Sequence, residues 1–163
     1  MQLEQLDLPG GGLLTVYLRD CVETMPLAME RPLVLVVPGG GYSHLSAREG
    51  DPVALQFAAA GYHTAVLRYA VGDDAAHGLP LRQLAAAIGL VRQHAAAWYV
   101  QPDKIAVCGF SAGGHLALSG AVLAVPGLPD PPRPDAVILG YPVITAGQYA
   151  HRGSFVQRAG EDP

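Results

Sequence analysis

The sequence is poor in cysteine and in charged residues, and each shortage excludes a class of protein. Its 163 residues include 2 cysteines, Cys21 and Cys108, and neither stands at zinc-site or redox-motif spacing from another Cys or His. Both are therefore predicted to be free thiols, which suits a reducing compartment. Charged residues make up 15% of the chain, with 10 basic against 14 acidic side chains and no basic cluster. Nucleic acid and anionic membrane surfaces are not expected as partners, because both need a patch of positive charge.

Signals for export and for membrane insertion are also missing. The first residues, Met1–Gly10, carry acidic side chains and have neither a basic n-region nor an apolar h-region. The most apolar long stretch, Ser111–Pro126, is shorter than the roughly 20 residues that a membrane span requires. We therefore expect a cytoplasmic protein without a transmembrane segment. Half of its residues are hydrophobic, which is enough for a buried core, so a single domain over residues 1–163 is predicted.

Apolar runs alternate with helical patterns along the chain. The predicted strands are Leu13–Leu18, Leu33–Val37, His63–Tyr69, Ile105–Cys108 and Ala136–Tyr141. The predicted helices are Pro52–Ala60, Leu81–Tyr99 and Ser111–Val125. Strands that are apolar on both faces and alternate with helices indicate an α/β fold, a mostly parallel sheet with helices on both faces. Ligands of such sheets bind beyond the carboxyl ends of the strands, so a site is expected in the loops that follow them.

The segment Gly109–Gly113 matches the pattern G-x-S-x-G, with Ser111 at its centre. It lies directly between a predicted strand and the helix that follows, which is where a nucleophile elbow occurs. Small residues on both sides allow the sharp turn that raises the serine Oγ above the sheet edge. The helix directs its free N–H groups and its positive dipole end to the same place. A glycine-rich packing turn is the alternative interpretation, and the strand-turn-helix context favours a nucleophilic serine.

A second glycine-rich loop, residues 38–42, follows another strand that is predicted to be buried. A carbonyl attacked by Ser111 becomes an oxyanion, which needs fixed hydrogen-bond donors. One such donor commonly follows the nucleophile and the other comes from a neighbouring glycine loop, so the candidates are Ala112 and either Gly40 or Gly41. A bare turn is one alternative and a dinucleotide or phosphate cradle is another. The loop fails G-x-G-x-x-G at its last position, and no P-loop pattern occurs in the chain.

Together these segments resemble the α/β-hydrolase superfamily. The order is a strand with a glycine-triplet loop, two helix-strand crossovers, the Gly109–His115 elbow and a strand that ends Gly-Tyr-Pro-Val-Ile. Within the superfamily, Gly40–Ala54 and Tyr141–Thr145 resemble the esterase branch related to acetyl-xylan and feruloyl esterases. The resemblance extends from about Leu13 to Gly153, which is most of the chain.

The resemblance implies a serine carboxylesterase that hydrolyses small acyl esters, such as acetyl or feruloyl groups on carbohydrate. It implies an acyl-enzyme at Ser111, a His as base and an Asp or Glu that orients the His. The expected partner is thus a small-molecule or carbohydrate ester. No metal or organic cofactor is expected, because a nucleophile, a base and oxyanion donors suffice for acyl transfer. A serine peptidase on the same fold is an alternative, since these motifs do not distinguish esters from amides.

In the family the catalytic residues follow one another along the chain in the order Ser, acid and His. This sequence departs from that pattern at the acid and at the base. Two histidines follow Ser111, namely His115 and His151, and the acids between them are Asp130 and Asp135. Asp135 opens the last predicted strand, about 20 Å from the catalytic edge, and Asp130 lies in the same loop. His115 lies on the elbow helix and is expected to be a hydrogen-bonded core residue. His151 remains as the candidate base, although the matching stretch in related sequences leads into a cap or helical segment.

The sequence ends where the resemblance places the start of the family's remaining strands. Those strands would carry the acid and the base, so we expect a truncated α/β-hydrolase domain whose C-terminal strands are missing. A sheet edge left unpaired would favour self-association with another chain. The alternative function is a noncatalytic, hydrolase-like binding module that keeps the elbow without the triad.

Other polar residues are assigned by their position in the predicted loops and strands. Arg48 and Glu49 are expected to be solvated or locally salt-bridged, as charged neighbours on loops usually are. His44 is expected in the loop at the mouth of a pocket. The remaining histidines, expected at the surface or at strand edges, are His63, His77 and His94.

Overall fold

The computed structural model describes residues 1–21, 29–145 and 147–159, without the side chains of residues 155 and 157–159. Residues 160–163, on which the expected truncation depends, lie outside the described residues. The strands are β1 (Gln2–Leu8), β2 (Gly12–Leu18), β3 (Arg31–Val37), β4 (His63–Arg68), β5 (Val100–Phe110) and β6 (Ala136–Gly140). The helices are α1 (Asp51–Ala59), α2 (Leu79–Gln93), α3 (Ala95–Trp98), α4 (Ala112–Val122) and α5 (Arg152–Ala159).

The strands form one mixed sheet in the order β1-β2-β4-β3-β5-β6. Strands β4, β3, β5 and β6 run parallel to one another. β1 and β2 form an antiparallel hairpin, and β2 pairs with β4 in the antiparallel sense. The prediction of a mostly parallel sheet is therefore confirmed, and helices supply the crossovers that parallel pairing requires.

The register of the parallel strands brings three loops together at one edge of the sheet. Val37, at the end of β3, pairs with Gly109 of β5, and Phe110 of β5 pairs with Gly140 at the end of β6. The glycine-rich loop, the elbow and the segment after β6 consequently start side by side. This is the edge at which open parallel sheets bind ligands.

The side chains of the sheet alternate between two apolar clusters. Leu33 and Leu35 of β3 belong to the larger cluster, which includes residues of α2 and α4. Val34 and Val36 point to the other face and belong to the smaller cluster, together with residues of α1. Because successive side chains of a strand point to opposite faces, the continuous apolar run of β3 buries both sides. The helices lie on both faces of the sheet, as predicted.

Four elements differ from the predicted pattern. β5 spans Val100–Phe110, where a shorter strand over Ile105–Cys108 was predicted. β1 was not predicted, because it is an edge strand with exposed polar side chains at alternate positions. The mostly polar α5 was not predicted either. The helix predicted over Leu81–Tyr99 is divided into α2 and α3 near His94, and Tyr99 leaves the second helix with a left-handed φ of 53°. β1 lies at the edge of the sheet and α5 near the end of the described residues, where few apolar contacts mark the structure. The break between α2 and α3 lies within the larger apolar cluster, which includes Val91, Ala95 and Trp98, so the apolar pattern continues through it.

The longest apolar stretch folds as α4, which contacts β5, β6 and α2. Of the helices in the described part of the chain, none has the length and apolarity needed to cross a membrane. Both cysteines are free, as predicted. Burial raises the pKa of the Cys108 thiol.

The expectation that His63 lies at the surface or at a strand edge is wrong. Its side chain is fully buried in β4. The Arg19 N–H donates to His63 Nδ1 at 3.0 Å, and His63 Nε2 lies 3.2 Å from the Tyr99 carbonyl oxygen. This arrangement requires the neutral ring with its proton on Nε2, because a proton on Nδ1 would face the Arg19 donor. Burial lowers the pKa of His63 below its ordinary 6.5.

We predict that the free energy of unfolding decreases as the pH falls below about 6.5. The unfolded chain binds a proton at His63 in this range while the folded chain does not, so acid favours unfolding by up to about 1.4 kcal/mol per pH unit. We expect the free energy of unfolding of H63N to depend less on pH than that of wild type. Urea titrations at several pH values between 5 and 7 measure this dependence. The exposed histidine variant H77N is the control and is expected to keep it. Equal slopes in H63N and wild type would contradict the assignment.

Candidate active site

Ser111 occupies a strained turn between β5 and α4. Its φ is 52° and its ψ is −118°, a conformation that non-glycine residues rarely adopt. The flanking glycines make the turn sterically possible. A Cβ at Gly109 would lie 2.3 Å from the Gly113 carbonyl oxygen, and a Cβ at Gly113 would lie 2.2 Å from the Val37 carbonyl oxygen. The strand-turn-helix arrangement predicted around Ser111 is therefore present, with α4 packed against the end of β3.

Backbone hydrogen bonds hold this strained residue from the β6 side. The Ser111 N–H donates to the Gly140 carbonyl oxygen at 3.0 Å, and the Ser111 carbonyl oxygen accepts from Val143 N–H at 3.1 Å. The His115 N–H donates to the same carbonyl oxygen at 3.1 Å, as the first turn of α4. Ala112, the first residue of that helix, is fully buried behind the serine.

The glycine-rich loop turns sharply directly after β3. Gly40 and Gly41 have φ values of 127° and 65°, in the region that favours glycine. A Cβ at Gly40 would lie 2.0 Å from the His44 carbonyl oxygen, so this position tolerates no side chain. Ser43 N–H and His44 N–H both donate to the Gly40 carbonyl oxygen, at 3.1 and 3.3 Å.

A cavity of about 480 Å³ lies over the three loops. Its size is within the range of small-molecule sites. The structure brings together here the predicted residues Ser111, Gly40, Gly41 and His151. His44 also lines this cavity and is exposed, as expected for the pocket mouth. The other lining residues are Ser43, Ser46, Arg48, Glu49, Tyr141 and Gly153.

His151 reaches the cavity from the turn that precedes α5. Its Nδ1 lies 2.9 Å from Ser154 Oγ. A Cβ on Gly41 would lie 3.5 Å from that hydroxyl oxygen and 3.9 Å from His151 Cε1, so both side chains pack beside the glycine loop. The hydrogen-bond partner of His151 among the described residues is thus a hydroxyl group rather than a carboxylate.

The two acids considered from the sequence lie at the opposite edge of the sheet. Asp135 accepts from the Arg92 guanidinium at 3.0 Å and from Ile105 N–H at 2.8 Å, directly before β6. Asp130 belongs to the same proline-rich loop. Asp135 thus lies where the sequence-based argument placed it, away from the carboxyl ends of the strands.

A hydrogen-bonded group behind the glycine loop attaches it to the core. Tyr42 is buried, and its hydroxyl lies 2.8 Å from His115 Nδ1 on α4. The Tyr69 hydroxyl donates to the Pro38 carbonyl oxygen at 2.8 Å, and burial raises the pKa of the Tyr69 phenol. His115 is thus hydrogen-bonded, as predicted, but it is half-buried and not a core residue.

Glu49 was expected to be solvated or locally salt-bridged, and this is wrong. It is 9% exposed, and both of its carboxylate oxygens accept hydrogen bonds. Oε2 accepts from Gly39 N–H at 2.8 Å, and Oε1 accepts from the Tyr141 hydroxyl at 2.6 Å. The Tyr141 partner is 92 positions away, so no local sequence pattern reveals it. This hydrogen bond raises the pKa of the Tyr141 phenol.

Within the described ranges, no group of three or more His, Cys, Asp or Glu side chains is arranged to hold a metal ion. The polar side chains at the cavity are instead three serines, two histidines, an arginine, a buried glutamate and a tyrosine. Such a set provides a nucleophile, proton-transfer groups and hydrogen-bond donors.

The strand order and the helices on both faces are those of an α/β hydrolase, and solved structures of this class superpose on the chain. An α/β-hydrolase enzyme from a Medee basin deep-sea metagenome library matches with a TM-score of 0.81 and 38% identity, over 92% of this chain and 60% of that one. An acetyl ester-xyloside bifunctional hydrolase from Caldicellulosiruptor lactoaceticus matches with a TM-score of 0.80 and 35% identity, over 96% of this chain and 58% of its own. The predicted fold class is confirmed.

The chain belongs to the BD-FAE family, whose profile matches residues 22–126. Endo-1,4-beta-xylanase B of Butyrivibrio fibrisolvens is 34% identical over 145 residues, which cover 83% of this chain and 23% of that protein. The acetylxylan esterase of Xylanibacter ruminicola is 32% identical over 133 residues, 79% of this chain and 26% of its own length. The resemblance to the acetyl-xylan and feruloyl esterase branch is confirmed. The chain spans about a quarter of the length of these curated relatives.

We predict that G113A lowers the free energy of unfolding by about 1–3 kcal/mol or more, because the new methyl group would overlap the end of β3. The matched control is G147A, where the nearest atom to a new Cβ is 3.6 Å away. That variant is expected to stay within about 0.5 kcal/mol of wild type. Equilibrium urea unfolding measures both values. Equal midpoints for the two variants would argue against the close approach of α4 and β3.

Proposed function

We propose that the protein is a serine carboxylesterase of the α/β-hydrolase class, with Ser111 as its nucleophile. The observation that carries this proposal is the strained backbone of Ser111 at the floor of the cavity, directly beside the glycine-rich loop. Strain of this kind persists only where the surrounding structure enforces it, and it is concentrated at functional sites. The glycine positions that enforce it here leave no room for a side chain.

In the proposed reaction, Ser111 Oγ attacks the carbonyl carbon of an ester while a base removes the hydroxyl proton. The carbonyl oxygen becomes an oxyanion, which the N–H of Ala112 and the N–H of Gly40 or Gly41 would stabilise. Collapse of this intermediate transfers the proton to the departing alcohol and leaves an acyl-enzyme. Water then attacks the acyl-enzyme by the same route and releases the acid. These steps use side chains and backbone donors, so the proposal includes no metal or organic cofactor.

His151 is the proposed base within this chain. It lines the cavity with Ser111, and its Nδ1 is occupied by the Ser154 hydroxyl, which leaves Nε2 for the nucleophile. A hydroxyl partner stabilises the charged imidazolium less than a carboxylate does. We therefore expect slower turnover from this chain than from a complete serine triad.

The proposed substrates are small acyl esters, with acetyl or feruloyl groups on carbohydrate as the leading candidates. Two matched proteins are named as an acetylxylan esterase and an acetyl ester-xyloside bifunctional hydrolase. The cavity is open and lined by polar side chains such as Arg48, His44 and Tyr141, which suits a hydroxyl-rich alcohol portion. We expect turnover of acetyl esters to exceed that of aminoacyl amides, the substrates of a serine peptidase on this fold.

A noncatalytic binding module is the second candidate. The observation that favours it is the hydroxyl partner of His151, since no carboxylate completes a triad among the described side chains. In that case the cavity would bind a carbohydrate or an ester without turning it over.

We predict that a fluorophosphonate probe labels Ser111 in the folded chain, and that S111A and heat-denatured protein are not labelled. H151Q is expected to slow labelling by about 10²- to 10⁴-fold, the usual contribution of a general base. H94Q is the matched control, because His94 stacks on Trp98 beside α3 and does not line the cavity. Peptide mass spectrometry identifies the labelled residue. Failure of the folded wild type to react at Ser111 would eliminate the esterase proposal and favour the binding module.

Self-association through the edge of the sheet is proposed as a further property. Within the described residues β6 pairs with β5 on one side only, and Ile138 is 44% exposed. Open strand edges pair with other strands unless charges or proline prevent it.

We predict a concentration-dependent dimer in sedimentation equilibrium, which I138K shifts to monomer because a charge on an edge strand opposes pairing. V122K, which changes an exposed residue of α4, is expected to leave the dimer intact. A wild type that stays monomeric over the accessible concentration range would exclude this property.

A further inference from the structure

Glu49 lies beside the site, yet the proposed mechanism assigns it no step. Burying a carboxylate is costly unless its oxygens accept hydrogen bonds, and here each oxygen has one donor, Gly39 N–H and the Tyr141 hydroxyl. One donor belongs to the glycine-rich loop after β3 and the other to the segment after β6. Glu49 itself lies in the turn directly before α1. A single side chain therefore connects the glycine-rich loop, 10 positions away in the sequence, with the segment after β6, 92 positions away.

We propose that Glu49 is a positioning residue that holds the glycine-rich loop at its working distance from Ser111. The proposal rests on the proposed function, in which this loop supplies an oxyanion donor. Gly39 directly precedes the candidate donors Gly40 and Gly41. A Cβ on Gly39 would lie 2.8 Å from Glu49 Oε2 and 2.9 Å from Ser111 Cβ, so the carboxylate and the serine border the same small space.

The connection completes a chain of hydrogen bonds from the nucleophile, through the segment after β6, to the glycine-rich loop. The segment after β6 is already attached to Ser111 by the bonds to Gly140 and Val143, at 3.0 and 3.1 Å. Glu49 joins that segment to Gly39. Tyr42 anchors the far end of the glycine loop. At its near end the Tyr69 hydroxyl donates to the Pro38 carbonyl oxygen and Ser46 N–H donates to the Gly39 carbonyl oxygen, while Glu49 is the acceptor for Gly39 N–H. In acyl transfer a misplacement of about 1 Å costs about 10²-fold in rate, so this contact matters for the reaction.

Two substitutions of Glu49 can separate the effect of its two hydrogen bonds from the effect of its negative charge. A glutamine at this position accepts from Gly39 N–H through its oxygen and donates to the Tyr141 oxygen through its amide nitrogen. It therefore keeps both contacts without the negative charge. An alanine loses both contacts and leaves Gly39 N–H without its acceptor. E49Q is thus the conservative variant and E49A the disruptive one.

The experiment measures ester turnover per titrated active site. Fluorophosphonate titration counts the reactive Ser111 in each preparation, which corrects for molecules that have not folded. We expect E49A to lose about 10²-fold in kcat per titrated site with KM changed less than threefold, and E49Q to stay within about tenfold of wild type. E30A is the matched control, since Glu30 is exposed and precedes β3 at the end away from the site. It is expected to match wild type.

Y141F removes one of the two donors and is expected to have a smaller effect than E49A. The double variant E49A/Y141F is expected to be no slower than E49A alone, because residues of one network are not additive. If E49A keeps the wild-type kcat per titrated site and loses only stability, Glu49 is structural and the proposal is overturned. Additive losses in the double variant would overturn it as well.

A spectroscopic measurement keeps this test separate from the proposed function. Titration of the phenolate absorbance, with Y141F identifying the signal, is expected to show the pKa of Tyr141 nearer its ordinary 10 in E49Q than in wild type. Hydrogen exchange of the Gly39 amide is expected to be faster in E49A. If wild type reacts with no probe or ester while the Tyr141 pKa falls in E49Q and the Gly39 amide exchanges faster in E49A, the esterase proposal fails and the hydrogen-bond network is present. If neither the pKa nor the exchange rate changes, the network is excluded regardless of activity.

Discussion

The close approach of α4 to the end of β3 is the constraint on which the rest of the site depends. Gly113 permits it, since a Cβ there would lie 2.2 Å from the Val37 carbonyl oxygen, and Gly109 permits the tight turn before α4, since a Cβ there would lie 2.3 Å from the Gly113 carbonyl oxygen. The approach forces Ser111 into its strained conformation and places the start of α4 beside the glycine-rich loop. Strain of about 1–3 kcal/mol is sustained because backbone bonds from the β6 side and the buried α4 face hold the turn in place. A looser junction would allow the serine to relax into an ordinary helix start.

Buried polar side chains hold the loops of the site in place by hydrogen bonds, where apolar packing does not. Tyr42, Tyr69 and Glu49 each connect a loop at the carboxyl edge of the sheet to a different element. Apolar contact is roughly proportional to area and has little direction, whereas hydrogen bonds specify distance and angle. The elements of the sheet are thus held by apolar clusters on both faces, and the loops above them by directional bonds.

Much of this architecture was predictable from the sequence, and the exceptions have a common cause. The central strands and the crossover helices were predicted because their apolar runs are long and continuous. β1 was missed because an edge strand buries few side chains. His63 and Glu49 were misjudged because their partners, Tyr99 and Tyr141, are distant in sequence. A polar residue is inexpensive to bury only when such partners exist, and sequence patterns do not contain that information.

The sequence by itself determined the order of strands and helices, the glycine pattern around Ser111 and the membership of an α/β-hydrolase family. These follow from local rules, because apolar period, turn residues and steric freedom act over a few neighbouring positions. Tertiary structure alone decided that His151 reaches the cavity, that Arg92 and Ile105 are the hydrogen-bond partners of Asp135, and that Glu49 is buried between two loops. Each of these depends on the register of β3, β5 and β6, which sets residues about 70 positions apart (β3 and β5) and about 30 positions apart (β5 and β6) beside one another. Register is a property of the whole sheet, and no single segment carries it.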